Sequence, residues 1–264
     1  MSTPKKSLGQ HWLHDLQSLH AMCDGVSVGP EDTVLEIGPG LGTLTIELTQ
    51  RAKQVVAVEF DPDLARELPT RVPAQNLEVV HHDILTFDLT KLPVGYKVAA
   101  NVPYYITSKI VRLLLESKNP PSEIALLVQK EVAQRIAAKP GDMSILAISA
   151  QLYAETTLGP IVPAALFTPP PKVDSQIIIL KRRTEPLFGD VEIADFFRMV
   201  RAGFGEKRKT LRNSLSGGLH LEKPIVEQLL AAANIKPGMR AEQLDLHDWH
   251  ELTKAFKKQE TQHD

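Results

Sequence analysis

A glycine-rich turn constrains the fold of this chain more than any other feature of its sequence. Residues 33–37 form an apolar run of strand type, and residues 43–51 have a helical pattern. Three glycines lie between them, at Gly38, Gly40 and Gly42. Glycine lets the backbone approach a ligand closely, and the N-terminus of the following helix offers free N–H groups. The segment therefore predicts a strand, a binding turn and a helix in that order.

Strand and helix patterns continue to alternate on both sides of this turn. Strands are predicted at residues 33–37, 54–59, 77–81, 97–101 and 123–128, and helices at 16–26, 43–51, 63–71, 108–116 and 130–137. Runs as continuously apolar as residues 55–58 are typical of a parallel sheet that is covered on both faces. The alternation therefore predicts a doubly wound α/β domain.

The pattern changes beyond residue 160. Three prolines at 169–171 indicate an extended loop, because proline has no backbone N–H to pair. A strand is predicted at 175–181, and after Pro186 only helical patterns remain, at 191–202, 207–215, 223–233 and 246–257. We therefore predict one domain over residues 1–186, with a basic extension at 1–15, and a small all-helical domain over 187–264.

Composition narrows the possible functional classes. The chain has 264 residues, 43% of them hydrophobic, which is enough to bury a full core. No apolar run approaches the ~18 residues of a membrane span, and the first residues lack the apolar stretch of a signal peptide. A single cysteine, Cys23, cannot form an internal disulfide. These features predict a cytoplasmic protein without a membrane partner.

A net charge of −2 argues against nucleic-acid binding by bulk charge, so any RNA contact has to come from a local patch. One candidate patch lies between residues 198 and 212, where six basic residues stand against only Glu206. The alternative is an ordinary solvated helix surface. The basic residues are Arg198, Arg201, Lys207, Arg208, Lys209 and Arg212.

Two carboxylates flank the glycine turn. Glu59 ends the strand at 54–59, where it can accept hydrogen bonds from both hydroxyls of a ribose. Glu36 stands two residues before Gly38, where it would repel a pyrophosphate but suits a ligand with an ammonium and a sulfonium. The glycine at 42 also falls one residue early for the dinucleotide motif. The turn therefore favours S-adenosylmethionine over NAD, and a tight turn without a ligand is the remaining alternative.

Asp83 follows the strand at 77–81 and could accept a hydrogen bond from an adenine amino group, or it could cap a helix.

His81 and His82 are adjacent, so their side chains point to opposite faces of a strand. No cysteine or spaced histidine joins them, so no metal site is predicted. His247 and His250 are assigned to an exposed helix face.

The strand at 97–101 ends in Asn101-Val102-Pro103-Tyr104, which resembles the catalytic motif of amino-methyltransferases. The whole chain resembles the KsgA-type 16S ribosomal RNA adenine dimethyltransferases. This resemblance implies a Rossmann-like class I methyltransferase fold for the doubly wound domain. The matching segments are residues 5–10, 36–42, 101–104, 129–132, 167–175 and 207–215.

The resemblance implies a role for each part of this motif. The lone pair of adenine N6 is delocalised into the ring, so the amino group is a poor nucleophile. The Asn101 side-chain oxygen and the Pro103 carbonyl would accept its hydrogens, and Tyr104 would stack on the base. Phe167 would form a second wall, unless it is a core residue. A paired base cannot reach such a pocket, so the target has to be single-stranded or flipped out.

Further contacts complete the predicted site. Residues predicted to contact the cofactor are His11, Leu13, Glu36, Gly38, Gly40, Gly42, Glu59, Asp83, Ile84 and Asn101. Residues predicted to contact RNA are Lys5, Lys6, Lys207, Arg208, Lys209 and Arg212. The chain departs from the family at His11, where an asparagine is usual beside the methionine end of the cofactor, and at Tyr105, which replaces an asparagine. Both N6 acceptors are kept, so activity is expected.

The resemblance implies dimethylation of N6 of two adjacent adenosines in the 3′-terminal hairpin of 16S rRNA, within an assembling small ribosomal subunit, by a monomer. One alternative is a 23S rRNA methylase of the macrolide-resistance type, which residues 167–175 and 207–215 disfavour. Another is an assembly checkpoint factor without catalysis, which loss of Asn101 or of the glycines would have favoured. An NAD oxidoreductase lacks an accompanying catalytic histidine or Tyr-x-x-x-Lys arrangement.

Overall fold

The computed structural model describes residues 9–263, which form two compact units. The sheet unit runs to Gln134 and includes Ala154–Arg182, and the helical unit comprises Arg135–Tyr153 and the chain from Arg183 onward. The second segment of the helical unit begins at Arg183, close to the predicted boundary at residue 187. The unit also includes residues 135–153, which were predicted to belong to the sheet domain. No described helix is long and apolar enough to cross a membrane.

A seven-stranded sheet forms the centre of the sheet unit, in the order β4-β3-β2-β5-β6-β9-β7. The five strands from β4 to β6 are parallel, whereas β9 and β7 are antiparallel to their neighbours. Two short strands, β1 and β8, form a separate antiparallel pair. The strands are β1 Trp12–Leu13, β2 Thr33–Ile37, β3 Gln54–Glu59, β4 Leu77–His81, β5 Lys97–Asn101, β6 Glu123–Gln129, β7 Ala154–Val162, β8 Phe167–Thr168 and β9 Ser175–Arg182.

Helices connect the parallel strands and cover the sheet. In β2 and β3 consecutive residues are buried, which requires cover on both faces of the sheet. Asp15 caps the first helix by accepting a hydrogen bond from the Ser18 N–H at 2.9 Å, and Asp61 caps the third, which begins with Pro62. The helices are α1 Leu16–Gly25, α2 Thr43–Arg51, α3 Pro62–Arg71, α4 Thr107–Glu116 and α5 Lys130–Ile136.

The order of the strands determines where a ligand can bind. From β2 the chain moves outward through β3 and β4, and then returns to place β5 on the other side of β2. In such open sheets a crevice forms beyond the carboxyl ends of the strands at the point where the direction reverses. Gly38 follows β2 and Asn101 ends β5, so both predicted segments lie at this crevice.

The helical unit is built around Trp249, which is fully buried. Phe196, Met199 and Leu215 belong to the same apolar cluster. Gly203 permits this packing, because a Cβ there would lie 2.3 Å from the Trp249 ring. The helices are α6 Ile145–Tyr153, α7 Ile193–Phe204, α8 Leu211–Leu219, α9 Lys223–Ala232 and α10 Leu246–His263.

One predicted helix begins too early, and the sequence patterns missed helix α6 and the strands β1, β7 and β8. The helix predicted at 207–215 begins only at Leu211, because residues 207–210 form the turn that follows α7. Helix α6 was missed because its nearly continuous apolar sequence has no helical period. Strand β7 was missed because it contains Gly159 and Pro160. The strand lies at the sheet edge, and its pairing with β9 shifts register between Leu158 and Ile161, which accommodates the proline.

Candidate active site

A cavity of about 330 Å³ opens at the carboxyl ends of β2, β3 and β5, within the sheet unit. Small-molecule sites typically have volumes of about 300–1,000 Å³. The structure brings most of the predicted site residues together here, although the sequence spreads them over almost a hundred positions. The predicted residues that line it are His11, Leu13, Glu36, Gly38, Gly40, Glu59, Asp83, Ile84, Asn101, Pro103 and Tyr104.

The glycines of the turn have different surroundings. All three adopt the left-handed conformation, with φ of 66° at Gly38, 57° at Gly40 and 88° at Gly42. A Cβ on Gly38 would meet nothing within 4 Å, whereas one on Gly42 would lie 2.8 Å from the side chains of Leu68 and Val72. Gly38 thus keeps the cavity wall open, and Gly42, which does not line the cavity, allows α2 to begin against these two side chains.

Glu36 and Glu59 place two buried carboxyl groups in the cavity wall, with only 2% and 6% of their surfaces exposed. Burial raises the pKa of Glu36 to about 8, the nearby Thr45 hydroxyl opposes this rise, and the charge of Glu59 adds to it. Its Oε2 has no hydrogen-bond partner in the described part of the chain. A buried acceptor without a donor is costly, so this oxygen suits a ligand that brings a donor or a positive charge.

Glu59 is held by the backbone around it. Its Oε2 accepts a hydrogen bond from the Gly40 N–H at 3.1 Å, and its Oε1 accepts one from the Asp61 N–H at 2.8 Å. Burial nevertheless raises its pKa above the ordinary value. Each oxygen keeps a lone pair, and the backbone bonds fix where the carboxyl group points. The predicted hydrogen bonds to a ribose are compatible with this arrangement.

Asp83 caps a short helix and also lies at the cavity. Its Oδ1 accepts a hydrogen bond from the Leu85 N–H at 2.9 Å and so caps the short 3-10 helix Ile84–Thr86. Asp83 also lines the cavity, as does the buried Ile84. A carboxylate has a second oxygen, so capping leaves an acceptor for a ligand.

Asn101 has a fixed orientation at the end of β5. Its Nδ2 donates a hydrogen bond to the backbone carbonyl of His11 at 3.0 Å. Because the amide nitrogen is engaged in this way, Oδ1 is the group that remains to accept hydrogen bonds. The Pro103 carbonyl accepts a hydrogen bond from the Ile106 N–H at 3.2 Å and a longer one from the Thr107 hydroxyl at 3.5 Å, which is weak enough for a ligand donor to replace. Two acceptors are thus available two residues apart on one side of the cavity.

Tyr104 and His11 form the aromatic part of the site. Their rings are nearly parallel, with centroids 5.9 Å apart. The Tyr104 hydroxyl shares a hydrogen bond of 2.8 Å with the Ser175 hydroxyl at the start of β9, and burial raises the pKa of this tyrosine. The His11 Nδ1 donates to the Pro169 carbonyl at 2.7 Å, which leaves Nε2 as an acceptor. These hydrogen bonds therefore hold both the Tyr104 ring and the His11 ring in place.

Phe167 does not join the cavity. It pairs with Leu13 across the short β1–β8 sheet, is 3% exposed, and packs in the apolar cluster beneath α1. This is the position of a core phenylalanine, the alternative that the sequence left open. A role as the second wall of a base pocket would require the ring to leave the core, so that role stays a prediction.

The basic residues predicted to contact RNA differ in their surroundings. Lys207, Arg208 and Lys209 are exposed in the turn between α7 and α8, which we call the basic turn. Arg212 is instead paired with Glu227 at 2.8 Å. Lys5 and Lys6 lie outside the described residues. Among the described residues predicted to contact RNA, the basic turn therefore presents the most accessible charge, and Arg201 of the wider basic patch is also exposed.

Several cavity residues were not predicted from the sequence. Phe60 directly follows Glu59 and is 57% exposed, which is unusual for a large aromatic residue at the end of a buried strand. Tyr105, noted only as a departure from the family, is 66% exposed at the cavity. Lys109 reaches the cavity from α4, and no sequence signal distinguishes it from other helix-surface lysines.

The assignment of two histidines to an exposed helix face was half wrong. His247 is exposed on α10, but His250 is 6% exposed. His250 is buried because Phe188 stacks on its ring, with centroids 4.1 Å apart. This contact links segments about sixty residues apart, which helical periodicity alone does not reveal.

The chain resembles known proteins over almost its whole length. A family model described as ribosomal RNA adenine dimethylase matches residues 1–258. Ribosomal RNA small subunit methyltransferase A of Dehalococcoides mccartyi strain CBDB1 is 43% identical over 252 residues, which cover 94% of this chain and 87% of that protein.

Two solved structures share the fold. A dimethyladenosine transferase from Plasmodium falciparum has a TM-score of 0.81 at 26% identity, covering 94% of this chain and 98% of that one. The 23S rRNA methyltransferase ErmE has a TM-score of 0.76 at 31% identity, covering 93% of this chain and 99% of that one. The observed architecture, a Rossmann-like sheet followed by a helical C-terminal region, agrees with both.

Proposed function

This chain belongs to the ribosomal RNA adenine dimethylase family, and on that premise we propose that it transfers methyl groups from S-adenosylmethionine to 16S rRNA. The targets would be N6 of two adjacent adenosines in the 3′-terminal hairpin, within an assembling small subunit. A monomer in the cytoplasm would suffice for this reaction. The observation that supports the proposal most is the convergence of Glu36, Glu59 and Asn101 on one cavity at the reversal point of the sheet.

The cavity wall fits S-adenosylmethionine, which supplies a methyl group on a positively charged sulfur. The unpaired Oε2 of Glu36 would bind the positive charge of the methionine end. Glu59 would accept the ribose hydroxyls, and the second oxygen of Asp83 would accept the adenine amino group. Leu13 and Ile84 are buried apolar residues of the wall and suit the flat faces of the adenine. Gly38 and Gly40 would allow close approach of the ligand.

The two fixed acceptors would prepare the target amino group. Asn101 Oδ1 and the Pro103 carbonyl would each accept one N6 hydrogen, which favours a pyramidal nitrogen whose lone pair points at the methyl carbon. Positioning of this kind supplies much of the rate in reactions between two bound groups. A strong base is unnecessary, because the N6 proton can leave after the new carbon–nitrogen bond forms. Because the Asn101 side chain is a neutral amide, the site would also accept an adenine that already carries one methyl group on N6.

The target base would stack on Tyr104. A base sandwiched between two rings needs about 7 Å between them, since contacting carbon atoms lie about 3.5 Å apart. The Tyr104 and His11 centroids are 5.9 Å apart, so this space is too narrow. We therefore place the base on the Tyr104 face that is turned away from His11. His11 would then support the tyrosine ring and lie beside the methionine end of the cofactor.

RNA phosphates would bind the basic turn of Lys207, Arg208 and Lys209, whose charges are exposed. Arg212 would contribute less, because Glu227 already neutralises it. The net charge of −2 provides no bulk attraction to RNA, so binding would depend on a local basic group such as this turn.

Methyl transfer to isolated ribosomal subunits tests the substrate. Unmethylated small subunits and, separately, large subunits are incubated with the protein and labelled S-adenosylmethionine, and the label is mapped by nuclease digestion. We expect label on the adenosines of the 3′-terminal hairpin of 16S rRNA. Label on large-subunit RNA would instead favour the activity named for ErmE. Binding to small subunits without any label would favour a checkpoint factor.

A further inference from the structure

Three potential metal ligands cluster on α10 in the helical unit. His247, His250 and Glu251 each offer one donor atom, and these atoms all lie within 4.8 Å of one another. Positions i, i+3 and i+4 share one face of a helix, which is why the three side chains meet. The cluster is in the helical unit, whereas the cavity assigned to methyl transfer is in the sheet unit.

The tautomer of His250 follows from its hydrogen-bond partner. Its Nε2 lies 2.6 Å from Oδ1 of Asp190. An ionised carboxylate can only accept a hydrogen bond, so Nε2 carries the hydrogen, and in the neutral ring Nδ1 carries the lone pair. Phe188 fixes the ring plane by stacking at 4.1 Å with an interplanar angle of 4°. The lone pair of Nδ1 therefore has a fixed direction.

Nδ1 of His250 is buried and has no hydrogen-bond partner within the described chain. Its neighbour is Oε1 of Glu251, 3.4 Å away, which is also an acceptor. Two acceptors that face each other repel unless a cation or a proton lies between them. Two ligand atoms at 2.0–2.1 Å from a tetrahedral zinc ion are themselves about 3.3–3.4 Å apart. The observed spacing matches one edge of such a tetrahedron.

We propose that His247, His250 and Glu251 bind a divalent transition metal ion, with Zn²⁺ as the best match. Two imidazoles and one carboxylate are a donor set that zinc uses when a fourth position is left to water. The bond from Nε2 to Asp190 has the form of the carboxylate–histidine–metal arrangement that orients metal-binding histidines. The exposed His247 side chain completes the site by a change of rotamer.

The metal ion would take the place of Lys254 in this network. Lys254 now lies 3.0 Å from Glu251 and 3.9 Å from Asp190, and its ammonium neutralises both carboxylates. Lys254 is exposed, so its side chain can turn away when the cation binds. Asp190 lies in the segment before α7 and is hydrogen-bonded to His250 on α10. A metal ion on His250 would strengthen this hydrogen bond and so stabilise the contact between that segment and α10.

Zinc binding to the full chain tests the proposal. The protein is freed of metal with a chelator and titrated with Zn²⁺ by calorimetry, and Co²⁺ absorption reports the coordination geometry. We expect one saturable site, tetrahedral Co²⁺ bands and a rise in Tm with Zn²⁺. His247→Ala and Glu251→Gln, both at accessible positions, should each weaken binding at least about tenfold, and Asp190→Asn about 10–100-fold.

His20→Ala is the matched control, because His20 also pairs with a carboxylate, Glu47 at 2.8 Å, but lies in the sheet unit. It should bind Zn²⁺ as the unmodified chain does. Methyl transfer by His247→Ala should remain at the unmodified rate, which separates this site from the proposed active site. The proposal is overturned if no saturable site is found, or if His247→Ala and Glu251→Gln bind Zn²⁺ as tightly as the unmodified chain.

Discussion

The Asn101 side-chain nitrogen donates a hydrogen bond to the backbone carbonyl of His11 at 3.0 Å. The bond joins the end of a central strand to the segment before the first helix, ninety positions earlier in the chain. Its consequence is chemical as well as structural, because it decides which end of the amide is free. The Oδ1 atom is left to accept a hydrogen from the target amino group, and the nitrogen is held in place.

Asn101→Ala should therefore separate binding from chemistry. We expect the Kd for S-adenosylmethionine to change little, while methyl transfer falls on the order of 10²–10³-fold, the usual effect of losing one positioned hydrogen-bonding group. Calorimetry and single-turnover kinetics measure the two quantities. Asn76→Ala is a suitable control, because the Asn76 side-chain nitrogen also donates to backbone carbonyls, those of Thr49 and Ala52, but Asn76 lies outside the cavity. Transfer at the unmodified rate in Asn101→Ala would show that the assigned role is wrong.

Binding of the cofactor should strengthen as the pH rises from about 6 to 8. The pKa of Glu36 is about 8 because the group is buried, so at neutral pH it is mostly protonated without a ligand. A positively charged ligand stabilises the carboxylate, so binding releases a proton and is favoured at higher pH, by at most tenfold per pH unit. Calorimetric titrations at pH 6, 7 and 8 measure this slope. Glu36→Gln should bind more weakly and without the slope; an equal slope in that variant would exclude Glu36 as its source.

Alanine at Gly38 should mainly weaken cofactor binding, whereas alanine at Gly42 should mainly lower the stability of the fold. Both substitutions force alanine into the left-handed conformation, at about 1–2 kcal/mol. At Gly42 the new Cβ also lies 2.8 Å from Leu68 and Val72, so we expect a further loss of about 1–3 kcal/mol. Gly38→Ala should fold nearly normally but bind the cofactor poorly, because its Cβ enters the cavity. Thermal unfolding and calorimetry distinguish the two cases, and similar Tm values for both variants would contradict the packing role of Gly42.

Much of the fold could be predicted from the sequence, because the strands of a buried parallel sheet are short apolar runs with polar ends. The bounds of β2 to β5 agree with the predicted ones. The carboxyl ends of parallel strands share one edge of the sheet, so Glu36, Glu59, Asp83 and Asn101 could be expected in one place. In the structure these four residues line one cavity.

Other features depend on contacts that sequence patterns do not contain. Phe167 follows a family motif, yet it packs in the core because β8 pairs with β1, two segments about 150 residues apart. His250 is buried by Phe188, which lies in an irregular segment with no periodic pattern. Arg212 is paired with Glu227 on the next helix, so residue spacing alone overestimated the number of unpaired charges in the basic patch. Each of these differences arises from long-range packing rather than from local propensity.

Replacing the three basic side chains of the basic turn should weaken RNA binding, because it removes electrostatic contacts with phosphates. The triple change Lys207→Ala, Arg208→Ala and Lys209→Ala should lower the slope of log K against log salt concentration by roughly two to three, since each phosphate contact contributes about 0.7–0.9. Arg212→Ala is the control, because Glu227 already pairs with this residue, and it should change the slope by less than one contact. Filter binding to small subunits at several salt concentrations provides the slopes. Equal slopes for the triple variant and the unmodified chain would place RNA binding elsewhere.

The identity of the product nucleoside tests most directly whether this chain dimethylates adenine N6. Unmethylated small subunits are incubated with the protein and S-adenosylmethionine, and the 3′-terminal RNA fragment is digested to nucleosides for mass spectrometry. The proposed chemistry predicts N6,N6-dimethyladenosine, two residues per subunit at completion, and at most a trace with Asn101→Ala over the same time. Absence of dimethyladenosine under conditions where the cofactor binds, or a methyl group on any other atom, would contradict it.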